Sequence, residues 1–117
     1  MRRYSKTDGG FVQVPVVLLE DITLVPIEKL LYVLLLRYDY GGRHGEVWPS
    51  QGQLAFTLGI SSRQVQRILQ RLQQNGLLFI EQRPGRASVY HLRLRVTEDG
   101  VVDERRQLLR GQELVSA

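Results

Sequence analysis

The chain of 117 residues has a net charge of +4 and no cysteine. Its length suggests one domain with a short extension, and its 43% hydrophobic and 24% charged residues are ordinary for a globular protein with a real core. Disulfides and thiolate metal sites are excluded. The longest apolar run, seven residues over 30–36, is much shorter than the ~18 residues that span a membrane.

The first third of the chain predicts an arm, a short strand and two helices. Residues 1–10 are polar and end in two glycines, so we expect a flexible arm. Residues 11–14 predict a short strand, and residues 15–21 a helix of one or two turns. Pro26 suits the first turn of a longer helix, which the apolar pattern extends to residue 40. We interpret this helix as central core or, in part, as a dimer interface.

Residues 50–75 predict two helices separated by a tight turn. Ser50 and Ser61 are each followed three residues later by a glutamine, the pattern of a capping box that starts a helix. Gly59 accepts the left-handed backbone conformation that ends the first helix and begins the turn. This order is typical of a helix-turn-helix.

The positive charge is concentrated on the same part of the chain. Residues 1–49 hold six basic and six acidic residues, and residues 96–117 have a net charge of −2. Residues 50–95 hold seven arginines and one acidic residue, a net charge of +6. Because the excess charge lies on the helix-turn-helix and on the 20 residues directly after it, we expect this segment to bind a polyanion.

The second helix of the pair has one apolar and one polar face. Val65, Ile68, Leu69 and Leu72 share about one-third of its circumference, and arginines and glutamines lie opposite. In the DNA major groove, arginine can pair with guanine and glutamine with adenine through two hydrogen bonds each. The N-terminal half of such a helix reaches deepest, so the residues we expect at bases are Ser62, Arg63, Gln66 and Arg67. Those we expect at phosphates or solvent are Gln70, Arg71 and Gln74. The alternative is a solvated helix face.

A basic hairpin is predicted after the helices. Residues 77–82 and 88–95 read as strands, and Pro84-Gly85 between them suits the centre of a type II turn. Arg83 and Arg86 flank the turn and are expected to contact phosphates or a narrow minor groove, unless the tip is simply solvated. The amides at the helix starts of Ser50 and Ser61 could also attract phosphate, although capping is the role we expect for both serines.

These elements predict an α+β, mostly α fold over residues 11–96. It is a winged helix-turn-helix, with a three-helix core and a C-terminal β-hairpin wing. Residues 97–117 are acidic and interrupted by glycines. They predict a disordered tail that is dispensable for the fold, a helix packed on the domain, or a short assembly helix that includes Val101 and Val102.

No arrangement of residues predicts catalysis. His44 and His91 have no partners at the spacing of metal ligands, and phosphate-binding, nucleophile-elbow and dinucleotide motifs are absent from the sequence. We therefore expect no enzyme activity, no cofactor and no metal. The aromatic side chains are interpreted as core and not as platforms for stacked bases; these are Tyr32, Tyr38, Tyr40, Trp48, Phe56 and Phe79.

The run from Phe11 to Leu78 resembles a known family. The matching segments are FVQVP (11–15), LLED (18–21), PIEKLLY (26–32), WPSQ (48–51), LGIS (58–61), residues 63–72 and GLL (76–78). They resemble the helix-turn-helix domains of bacterial, plasmid and phage replication initiators and primosome loaders. The resemblance implies a winged helix that binds duplex DNA.

The function we expect is sequence-specific binding of double-stranded DNA in replication initiation of a bacterial, plasmid or phage replicon. The protein would act in the cytoplasm, on the nucleoid or a plasmid. Two alternatives stay open: a small dimeric transcriptional regulator, and a winged helix that contacts other proteins in a replication or segregation complex. The expected partners are therefore duplex DNA, a second copy of the chain, or replication and segregation proteins, with no membrane.

Overall fold

The computed structural model describes residues 10–39 and 45–105. The helices are α1 (Val16–Leu19), α2 (Pro26–Tyr38), α3 (Gln51–Leu58) and α4 (Ser62–Gln74). The strands are β1 (Glu46–Val47), β2 (Leu78–Glu81), β3 (Val89–Leu92), β4 (Leu94–Thr97) and β5 (Gly100–Asp103). The winged helix-turn-helix that the sequence predicts is confirmed, as helices α2, α3 and α4 form the core and the β2–β3 hairpin comes after them.

Helix α2 is the centre of the core. Pro26 occupies its first turn, and the Glu28 side chain accepts a hydrogen bond from the Val25 N–H (2.9 Å), which satisfies one of the free amides at the helix start. Leu31 and Leu35 are fully buried, whereas Leu30 faces solvent. The helix packs against α3 and α4, so it is buried on several sides as its sequence predicts.

The turn between α3 and α4 forms as expected. The Ser50 and Ser61 hydroxyls accept from the backbone N–H groups of Gln53 (3.0 Å) and Gln64 (3.1 Å), and both glutamines bond back to the serine amides. Gly59 has a φ of 70°. This left-handed conformation would be strained in a residue that has a side chain. The apolar face of α4 is buried in the core, through Val65, Ile68, Leu69 and Leu72.

A three-stranded antiparallel sheet, in the order β1-β3-β2, carries the wing. In its register Leu78 lies opposite Leu92, and Glu81 lies opposite Val89. The wing loop therefore spans residues 82–88. At its tip the Arg86 N–H donates to the Arg83 carbonyl (3.1 Å) and Gly85 has a φ of 69°, as a type II turn requires.

The hydroxyl of Tyr32 joins α2 to the base of the wing. It donates to the Leu94 carbonyl (2.7 Å), accepts from the Leu94 N–H (3.1 Å) and lies 3.1 Å from the Leu77 carbonyl. The ring is fully buried, and burial raises the pKa of Tyr32 above its ordinary range. This side chain therefore satisfies backbone groups that would otherwise be unpaired in the core.

The chain beyond residue 96 differs from the sequence expectation. Residues 94–103 form a second hairpin, β4–β5, with Val96 opposite Val101 and Thr97 opposite Gly100. An assembly helix across Val101 and Val102 is wrong at these positions, because β-branched residues on both sides of the Glu98-Asp99 turn favour a strand pair. Residues 106–117 of the expected tail lie outside the described residues, as do residues 1–9 of the expected arm.

Three smaller expectations also fail. Residues 11–14 form no strand, and residues 88–95 divide into β3 and β4 with a bend at Arg93. Trp48 is not core, since 64% of it is exposed. It alternates along the extended chain with buried Val47 and Pro49, which directs its side chain outward. Phe56 and Phe79 are also exposed.

Candidate nucleic-acid interface

A groove of about 410 Å³ separates helix α4 from the wing. Four residues that the sequence predicts at the interface, Arg63, Gln66, Arg67 and Gln70, line its helix side. All four are exposed, because they lie opposite the buried face of α4. Ser62 is also exposed at the first turn of the helix. The structure thus brings the predicted base-contacting residues onto one continuous surface.

The two arginines of this surface are not used by the fold. Among the described residues, Arg63 and Arg67 make no hydrogen bond or ion pair within the chain. Their guanidinium groups are therefore free to donate to a ligand. An arginine presents a planar fork of N–H donors, which matches the two acceptors of guanine or the oxygens of a phosphate.

Arg71 has a different environment from Arg63 and Arg67. Its guanidinium is bonded to the buried carboxylate of Glu28 on α2, and a second nitrogen lies 3.4 Å from the Thr23 carbonyl. The sequence places Arg71 with the DNA-contacting residues, but this ion pair gives it a structural role. Its side chain is still half exposed, so a weak phosphate contact is compatible with this geometry.

The wing carries the other pair of predicted residues. Arg83 and Arg86 are both exposed on either side of Pro84-Gly85. Arg86 has no partner among the described residues, whereas Arg83 donates through Nε to the Glu81 carboxylate (3.0 Å). The wing therefore presents one free and one partly neutralised guanidinium.

Glu81 is the acidic residue of the 50–95 segment, and it lies at the base of the wing loop. Its carboxylate accepts from His91 Nε2 (2.8 Å) as well as from Arg83. The hydrogen bond from His91, followed by that from Arg83, lowers the pKa of Glu81 below its ordinary value. Glu81 is therefore ionised at neutral pH and offsets part of the positive charge of the wing.

Sequence reasoning missed several polar residues of the interface. Gln51, Gln82 and Ser88 line the same groove, and Gln51 accepts a hydrogen bond from Gln66 (3.0 Å). Gln73 also accepts from the Ile80 N–H (2.8 Å), which fastens β2 to α4. These contacts join residues from different elements, so no local sequence pattern signals them.

The two capping serines fix the backbone at the starts of α3 and α4. The Ser50 and Ser61 hydroxyls are both engaged by backbone amides at the starts of α3 and α4. Capping is thus their structural role, as the sequence predicts. Any attraction for phosphate at these positions would come from the helix amides.

Residues 23–78 match the model of a family described as a helix-turn-helix domain. The match agrees with the helix-turn-helix that α3, the turn at Gly59 and α4 form. The matched residues include α2, the turn at Gly59 and the whole of α4, and the match suggests DNA binding. No curated protein and no solved structure matches the chain significantly.

Neither a metal-ligand cluster nor a membrane-crossing helix is present in residues 10–39 and 45–105. Within these residues no three or more histidine or acidic side chains are grouped as metal ligands. None of the helices there has the length and apolar character needed to cross a membrane.

Proposed function

We propose that this protein binds double-stranded DNA with sequence preference and acts in the initiation of replication of a bacterial, plasmid or phage replicon. The observation that carries DNA binding is the exposed face of α4. It presents a glutamine, and two arginines that have no partner among residues 10–39 and 45–105, along its N-terminal half and next to a basic wing. The replication role is supported by the sequence resemblance of residues 11–78.

Helix α4 has suitable dimensions for the major groove. Its 13 residues extend about 20 Å, and with side chains it is about 10–12 Å wide, which fits a groove about 12 Å wide. In this arrangement Arg63, Gln66 and Arg67 contact base edges. Gln70 faces the nearer backbone. The fixed turn at Gly59 holds α3 across the backbone, as in other helix-turn-helix complexes.

The wing would contact DNA beside the groove that holds α4. Because Gln73 and the α4–β2 packing fasten the hairpin to the recognition helix, the wing loop stays on the same side of the molecule as Arg63 and Arg67. Arg86 would then bind phosphates or enter a narrow minor groove. Such contacts add affinity and orientation, whereas α4 supplies base preference.

Binding to random genomic fragments, with sequencing of the retained DNA, tests the proposal. Several directly repeated sites in one region would support replication initiation, whereas a single palindrome overlapping a promoter would support the dimeric transcriptional regulator. If four to six phosphates are contacted, log K should fall with log salt with a slope of roughly −4 to −5. No duplex binding even at low salt would overturn the proposal in favour of a protein-interaction module.

A further inference from the structure

Gln51, the first residue of α3, lies behind the recognition face. Its Oε1 accepts a hydrogen bond from Gln66 Nε2 on α4 (3.0 Å), and both side chains line the groove between α4 and the wing. Gln66 is exposed and Gln51 is half-buried. The amide of Gln66 is therefore supported from the protein side before any ligand enters the groove.

The contact with Gln51 fixes which atoms Gln66 offers to a ligand. A glutamine amide has two N–H donors and one acceptor oxygen, and one N–H of Gln66 is taken by Gln51. The second N–H and Oε1 remain. They match adenine, which presents an acceptor at N7 and a donor at N6 in the major groove.

We propose that Gln51 is a positioning residue that holds the Gln66 amide in the orientation that reads adenine. The inference rests on the proposed function, in which α4 enters the major groove. An unsupported glutamine would have to be ordered on binding, at a cost in side-chain entropy. The Gln51–Gln66 hydrogen bond orders it in the free protein, so discrimination improves without a further contact to DNA.

The test compares single-base variants of the preferred site found by the fragment selection. The position of interest is the base pair at which Gln66→Ala abolishes the sequence preference. Gln51→Ala should lower discrimination for adenine there by about 3–10-fold, part of the value of a bidentate contact. Discrimination at other positions should not change. In a Gln66→Ala background, Gln51→Ala should have no further effect.

Two further variants separate positioning from a general structural effect. Gln51→Glu keeps an acceptor for Gln66, so it should retain the adenine preference while its negative charge weakens binding to every duplex. Thr57→Ala, on the exposed face of the same helix, should change neither property. In the free protein, the side-chain amide resonances of Gln66 should shift in Gln51→Ala and stay in place in Thr57→Ala.

Full adenine preference in Gln51→Ala would overturn the positioning role and leave the proposed function intact. An equal loss at all base positions would also overturn it, because that result indicates a general change in the fold. Absence of duplex binding by the unsubstituted protein would instead overturn the proposed function, and the positioning role with it.

Discussion

Arg71 of helix α4 is bonded to the carboxylate of Glu28, which is 3% exposed and 43 positions earlier in the chain. The same carboxylate accepts the Val25 N–H through its other oxygen (2.9 Å). One acidic side chain therefore caps α2 and anchors α4 to it. This ion pair adds a polar contact to the apolar packing of α4 against α2.

Arg71→Ala should destabilise the fold without changing base preference. It leaves the buried Glu28 carboxylate with the Val25 N–H as its remaining contact in the described part of the chain, and a buried charge that loses a partner costs about 2 kcal/mol or more. Thermal unfolding measures the change. Arg67→Ala is the matched control, since Arg67 is on the same helix and should melt like the unsubstituted protein. Equal melting temperatures for the two variants would contradict a structural role for Arg71.

Arg67→Ala and Gln66→Ala should relax sequence preference. Each is expected to cost about 1–3 kcal/mol on the preferred site and much less on a scrambled one, because a bidentate contact to a base is lost. Competition binding with the two duplexes measures the difference. Gln74→Ala, an exposed glutamine near the end of the same helix, serves as control. If Arg67→Ala keeps full discrimination, α4 does not read bases through this residue.

Arg86→Ala should weaken all duplexes to a similar extent. Its guanidinium lies at the wing tip, free of partners among the described residues, where it would meet the backbone. Loss of one phosphate contact should make the slope of log K against log salt less steep by about 0.9. Binding to random DNA across a salt series measures this. A loss confined to the preferred sequence would instead place Arg86 at a base edge.

Glu81→Gln should strengthen binding to every duplex. The substitution removes the negative charge beside Arg83 and weakens its 3.0 Å contact, because a neutral amide binds a guanidinium less strongly than a carboxylate does. The full positive charge of Arg83 is then available to a phosphate. The slope of log K against log salt should become steeper by about 0.9. Glu98→Gln, an exposed acid on the β4–β5 turn, is the control and should have no comparable effect. Unchanged affinity in Glu81→Gln would mean that the wing does not meet the backbone.

The same carboxylate should make stability depend on acid pH. The hydrogen bonds from His91 and Arg83 lower the pKa of Glu81 below its ordinary value of 4.5. The contribution of ionised Glu81 to the free energy of unfolding is therefore fully present above about pH 4.5. It is lost as the pH falls through the lower pKa of Glu81 in the folded state. Melting curves between neutral pH and pH 3 should show a smaller acid-induced loss in Glu81→Gln than in the unsubstituted protein.

Truncation after Val96 should destabilise the domain relative to truncation after Arg105. The shorter chain loses β5 and Glu104, whose N–H donates to the Arg93 carbonyl (2.7 Å) and whose side chain binds Arg95 (2.6 Å). These losses should cost about 2 kcal/mol, or roughly 10 °C in melting temperature. The sequence instead suggests that everything after residue 96 is dispensable. Equal melting of the two truncated chains would support a dispensable tail.

The parts of the fold that short-range patterns encode could be predicted from the sequence. The capping boxes at Ser50 and Ser61 and the left-handed Gly59 lie within three or four residues of the groups they serve, so residue order is sufficient to find them. The buried and exposed faces of α4 can be derived from helical periodicity. The exposed positions of the groove arginines can be derived in turn from those faces.

The contacts that hold the site in place could not be predicted in this way. Glu28–Arg71, Gln51–Gln66 and Tyr32–Leu94 join residues 43, 15 and 62 positions apart, and they form only when the helices and sheet have packed. The second hairpin has one local signal, the Asp99-Gly100 pair, which is typical of a turn. The acidic composition of residues 97–117 indicates disorder instead. Exposure of Trp48 depends on strand alternation over too few residues to be recognised in advance.

The hydroxyl of Tyr32 holds Leu77 and Leu94 at one point, immediately before β2 and shortly after β3. The two ends of the segment 77–94 are thereby held together. The loop 82–88 lies at the far end of the hairpin, so its length does not affect this contact. Insertions there would lengthen the wing without altering the depth at which α4 sits. The reach of the wing along a duplex and the base preference of α4 can therefore vary independently in chains that keep this tyrosine.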